Sequence, residues 1–107
     1  MSNVRILSLR YALELAKTEA LKLQHVEDGG TCNFDTPMIV LPSGWRDADV
    51  NKAFMSTGLR PYKVEKNVYH VFDACHGQGS RRTAMAEAFR DCMRELGYTS
   101  YVYYQMD

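Results

Sequence analysis

The chain has 107 residues, 46% of them hydrophobic and 24% charged, which fits one globular domain over residues 1–107 and excludes a disordered or fibrous protein. Its 13 Lys and Arg balance 13 Asp and Glu, so the formal net charge is zero and a protein devoted to coating nucleic acid by neutralising phosphates is disfavoured. The apolar runs are a few residues long at most, too short to span a membrane.

Residues 3–26 carry Ile6, Leu9, Leu13, Ala16, Ala20 and Leu23 at alternating spacings of three and four, the stripe of a long amphipathic helix. Leu7, Tyr11 and Leu15 widen the stripe, and Asp28-Gly29-Gly30 ends the helix. Met38 to Leu41, between Pro37 and Pro42, is too short for a helix and reads as a buried strand over 37–41. Asp47 suits the N-cap of a short helix carrying Val50, Ala53 and Phe54, closed by Gly58. Two strands over 59–65 and 67–73 then turn at Glu65-Lys66-Asn67, and Pro61 marks the first as an edge. Ser80 caps a third helix, with Met85, Phe89, Cys92 and Leu96 on one stripe and Gly97 after its end. Tyr98 to Met106, aromatic and β-branched, reads as a last strand.

After the first helix the order is β, α, β, β, α, β over residues 37–106. In element order this resembles the ferredoxin-like fold, an α+β architecture with an antiparallel sheet, here preceded by the N-terminal helix. That resemblance implies central, antiparallel first and third strands, and a fourth strand antiparallel to the first. The loop before the first strand, with Cys32, Asn33 and Asp35, is then expected to lie beside the loop after the third, Asp73 to Arg82. Gln105 to Asp107 is expected at the same edge, and Ser43-Gly44-Trp45-Arg46 at the opposite one.

Several chemistries compete for that edge. Gly77, Gln78, Gly79 and Ser80 open a helix whose free N–H groups attract anions, and Arg81, Arg82 and Asn33 supply further donors for a phosphorylated or otherwise anionic small molecule. The glycine spacing is not that of a P-loop or a dinucleotide fingerprint, and a plain turn with a Ser80 cap explains the same residues. Cys32 or Cys75 as nucleophile, His76 as base and Asp35 or Asp73 as orienting acid would make a small enzyme. Cys32, Cys75 and His76, with His70 or Asp35, include zinc donor types, but their spacing gives no ligand motif, so neither a metal nor a cofactor is expected.

In the third strand Val68, His70 and Phe72 alternate with Tyr69, Val71 and Asp73, and in the last Tyr101 and Tyr103 alternate with Val102, Tyr104 and Met106. Both sheet faces therefore look covered, one by two helices and the other by the N-terminal helix or a dimer partner. The strands lack the basic-glycine-aromatic pattern of RNA-binding sheets, so nucleic acid ranks low. Three cysteines and the lack of a leader pattern point to a cytoplasmic protein. The sequence thus favours a non-enzymatic binding module, homodimeric, with the two-loop edge as its surface. The alternatives are a Cys/His enzyme there, and an inhibitor or adaptor that presents a surface patch to a protein partner.

Overall fold

A computed structural model describes residues 3–30 and 33–105. The elements are α1 (Asn3–Leu21), β1 (Thr36–Val40), α2 (Asp47–Phe54), β2 (Tyr62–Glu65), β3 (Val68–His70), α3 (Gly79–Glu95) and β4 (Thr99–Tyr103), with a 3-10 turn at Phe72–Ala74 between β3 and α3. They form an α+β domain with a four-stranded antiparallel sheet in the order β2-β3-β1-β4. Among the described residues no helix is long and apolar enough to cross a membrane.

The register places β1 in the middle of the sheet, with Met38 opposite both His70 and Tyr101. The β2–β3 hairpin closes through Asn67, whose φ of 65° supplies the left-handed residue of the turn. A register shift between Lys63 and Glu65 bends β2, so this edge carries a bulge, two charged side chains and the neighbouring Pro61. The β4 edge has none of these, although the Arg94 Nε–H donates to the Ser100 carbonyl at 2.7 Å.

All three helices share one core with the same face of the sheet. Ile39, Tyr69, Val71 and Val102 meet Leu9, Leu13, Val50, Phe54, Met85, Phe89 and Met93 in a single cluster, and α1 packs against both α2 and α3. The start of α2 is tied to the hairpin from this side. The Tyr69 hydroxyl donates to Asp47 Oδ1 at 2.8 Å, and Lys63 Nζ lies 3.1 Å from both Asp47 oxygens.

Five expectations need correction. The N-terminal helix stops at Leu21, and Leu23, Gln24 and Val26 close tighter turns by bonding three residues back. Its stripe is narrower than the sequence suggests, since Leu7 is 55% and Tyr11 64% exposed. The α2 and α3 caps are Arg46 and Gln78, so Asp47 and Ser80 sit inside their helices. The third strand ends at His70 because Ala74 and Cys75 N–H groups bond back to Val71 and Phe72 and curl the chain out of the sheet. Finally, α1 joins the other helices on one face, so it does not cover the second. Met106, expected in the last strand, lies outside the described residues.

Candidate functional site

The expected edge does assemble. Phe34 N–H donates to the Gln105 carbonyl at 2.7 Å, and Asn33 Nδ2 reaches the Gly79 carbonyl at 3.0 Å and Thr83 Oγ1 at 3.2 Å. Buried Asp35 accepts from the Thr83 hydroxyl at 2.6 Å and from Gln105 N–H at 2.8 Å. Arg82 Nη2 donates to Thr36 Oγ1 at 3.2 Å. Gln105 arrives at the edge where it was expected and Thr36 closes the first loop, while Thr83 is a partner that sequence reasoning missed. For Thr83 the signal was available: it lies one turn beyond Gly79 on α3, on the side facing Asn33 and Asp35.

At the start of α3 the chain satisfies several of its own donors, although Arg82 Nε is buried without a partner among the described residues. Gln78 N–H donates to Asp28 Oδ1 at 3.2 Å and Ser80 N–H to the Gly29 carbonyl at 2.8 Å. Arg81 Nε donates to the Val26 carbonyl at 2.7 Å and lies 3.3 Å from Asp28 Oδ1. The Asp28 carboxylate thus occupies the electropositive helix start where an external anion was expected. Gly79 is required by this contact: its φ is +56°, and a Cβ there would fall 1.9 Å from the Gly29 carbonyl oxygen. Gly77, with φ +74°, makes the turn that presents Gln78 to Asp28.

The remaining described candidates take separate roles. Cys75 is buried, and loss of hydration pushes its thiol up to about 12, with nearby Asp35 adding to the rise and Arg82 opposing it. His76 is exposed. Asp73 turns toward β2, where it accepts from Arg60 N–H at 3.0 Å and pairs with Arg60 Nε at 3.5 Å. His70 belongs to the sheet and Asp35 to the loop clasp, and among the described residues no three His, Cys, Asp or Glu side chains group to hold a metal ion. Cys32 lies outside the described residues, so its expected closeness to Cys75 and His76 has no counterpart here.

No family model, curated protein or solved structure matches the chain.

The second surface is the sheet face that no helix covers, contrary to the expectation that both faces are covered. It is an open surface groove of about 860 Å³ lined by side chains from all four strands. Pairing aligns them in rows. Tyr62, His70, Met38 and Tyr101 form one continuous row across β2, β3, β1 and β4. Val68 and Val40 sit side by side in the next row, beyond which lies Glu65, while Phe72, Thr36 and Tyr103 border the other side. Tyr62 is 60% exposed, and Phe72, Tyr101 and Tyr103 are between 43% and 46% exposed.

These rings support one another. His70 lies 5.5 Å from Phe72 and 5.4 Å from Tyr103 between ring centres, and Phe72 meets Tyr62 edge to face at 5.4 Å. Burial among them holds the His70 imidazole below its ordinary pKa. The lining contains no Lys or Arg and one carboxylate, Glu65. The patch is therefore contiguous, apolar and aromatic.

Proposed function

We propose that this chain is a non-enzymatic binding and interaction module of the cytoplasm, built on a ferredoxin-like core and acting through the open face of its sheet. The βαββαβ order after α1, with β1 and β3 central and antiparallel, supports the ferredoxin-like reading. The observation that carries the functional reading is the exposed row Tyr62-His70-Met38-Tyr101, which leaves half-exposed aromatic rings on a sheet whose opposite face packs against the helices.

Other features support the same choice. An anionic ligand at the loop edge would have to displace the Asp28 carboxylate and the Gly29 carbonyl from the helix start. Catalysis through Cys75 would begin from a buried thiol with almost no thiolate at neutral pH. Nucleic acid would stack on the rings but find few cations for its phosphates, with Arg94 beside Tyr101 and no Lys or Arg in the groove lining. The partner that suits the groove is itself apolar and aromatic, which fits a protein surface better than a phosphorylated small molecule.

Nuclear magnetic resonance can test the choice of surface. The Met38 methyl and His70 ring signals are expected to move on dilution, or on adding a hydrophobic dye such as anilinonaphthalene sulfonate, while Asn33 and Thr83 stay still. Inorganic phosphate is expected to leave all of them in place. If Met38 and His70 are unmoved in both series and phosphate shifts Asn33, Ser80 and Thr83, the loop edge is the working surface and this reading fails.

A further inference from the structure

We infer that the occupant of the open sheet face is a second copy of this chain, related to the first by a two-fold axis parallel to the strands and passing between β1 and β3. The inference rests on the reading of this face as the working surface and adds the identity and orientation of its partner.

The rows have the symmetry that such an axis requires. A two-fold interface must be self-complementary, because every contact from one copy to the other is made twice. Rotation about an axis between β1 and β3 lays β2 over β4 of the other copy and β3 over β1. The row Tyr62-His70-Met38-Tyr101 is matched to that operation, since it has tyrosine at both ends and two medium-sized side chains between them. Each Tyr62 then meets a Tyr101, and each His70 meets a Met38, pairing aromatic with aromatic and ring with thioether. In the neighbouring row Val68 meets Val40.

Charge and area agree with a second copy. The groove lining has no Lys or Arg, and the chain's net charge is zero, so two copies approach without long-range repulsion. Four aromatic side chains about half exposed contribute roughly 100 Å² each, taking 150–250 Å² as the area a whole aromatic side chain buries. With the aliphatic side chains between them the patch reaches roughly 600 Å² per copy, or about 1,200 Å² for the pair, the lower bound for a specific interface.

Sedimentation equilibrium on the full chain at pH 7.5, from about 1 to 200 μM, tests the inference in the concentration range of a modest interface. The expected result is reversible association to twice the chain mass. Tyr62→Lys and Tyr101→Glu are each expected to raise the dissociation constant at least about tenfold, since they remove aromatic anchors and bury a charge. The double variant is expected to recover most of that loss, because the two introduced charges are opposite and face each other across the axis. Circular dichroism establishes that each variant is folded. Should either fail to fold, isotope-filtered nuclear Overhauser contacts in the unaltered protein between the His70 ring of one copy and the Met38 methyl of the other decide the matter.

A single-chain mass at every concentration overturns the inference, as does a dimer indifferent to both substitutions or a double variant weaker than either single one. A single-chain mass with dye still bound at Met38 and His70 removes the second copy but leaves the face as the working surface. A single-chain mass with no dye at the face removes both.

Discussion

Tyr69 and Tyr101 stand on opposite faces of one sheet, in strands that both pair with β1. Tyr69 is 3% exposed, and its hydroxyl donates to Asp47 at the start of α2. Tyr101 is 46% exposed, with the Arg94 guanidinium 5.3 Å from its ring centre. The same side-chain type thus serves as a core anchor on one face and as free surface on the other. The cause is the course of α1: its stripe of Ile6, Leu9, Leu13, Ala16 and Ala20 is spent alongside α2 and α3, which leaves the second face without a helix. Alternation along a strand assigns residues to faces, and only the placement of helices decides which face is covered.

The contrast can be broken most directly from the packed side. Phe89→Ala removes a ring with no exposure from the shared cluster, and urea unfolding is expected to show a loss of about 4 kcal/mol. A loss below about 1 kcal/mol would mean that the helix-covered face is not the principal core. Gly79→Ala comes next, at about 2 kcal/mol or more, because it combines an unfavourable φ with a clash against the Gly29 carbonyl. A thermal midpoint equal to that of the unaltered protein would show that the clasp at α3 is dispensable.

Two tyrosine substitutions then compare the faces themselves. Tyr69→Phe keeps the ring and removes the bond to Asp47, and is expected to cost about 1 kcal/mol in the same unfolding measurement. Tyr101→Ser, measured at high dilution, is expected to stay within about 0.5 kcal/mol of the unaltered protein. Its cost is expected to grow with protein concentration, because dilution separates copies that share the open face. A large cost at high dilution would place Tyr101 in the core of the single chain.

His70 gives the smallest effect and the most specific one. Burial lowers its pKa from 6.5, so the unfolded chain takes up a proton before the folded chain does. The stabilising contribution of the neutral ring is therefore complete above about pH 6.5 and is lost as the pH falls through the lowered folded-state value. The groups around it on this face are Tyr62 and Glu65 from β2, Met38 from β1, Phe72 after β3, and Tyr101 and Tyr103 from β4, with Glu65 the one carboxylate in the lining. Association is expected to weaken roughly threefold or more between pH 7.5 and 5.5, and His70→Gln to flatten that profile. Tighter association at pH 5.5 would mean that the ring meets negative charge rather than apolar surface.

Much of this arrangement is legible in the chain. Met85 and Phe89 on the α3 stripe, the Asn67 turn and the alternation of Tyr69 with His70 follow from local spacing and conformation, although Met93 is buried where Cys92 and Leu96 were expected and Leu96 is 39% exposed. The meeting of Asn33 and Asp35 with Gly79 is legible too, because strand order fixes which loop ends share an edge. Other features depend on partners distant in the chain. Asp28 and Gly29 reach the start of α3 from 50 residues away or more, and a carboxylate in a glycine-containing loop carries no mark of its target. Nor does the apolar stripe of α1 carry an address, so its spacing could not show that it would leave Tyr62, Phe72 and Tyr101 in the open. The short β3 has a similar origin, since the backbone bonds of Ala74 and Cys75 that end it leave no signature in side-chain polarity.

The difference between the sheet's two edges has a consequence for handling and for the crowded cell. At β2 a bulge, Pro61, Lys63 and Glu65 discourage a passing strand, while Thr99 to Tyr103 of β4 presents an uncharged backbone rail with Arg94 holding one carbonyl. Growth by strand addition would therefore begin at one side of the molecule, with Arg94 acting as gatekeeper. Substituting that arginine would raise the tendency to form fibrous deposits before it changed the folded state.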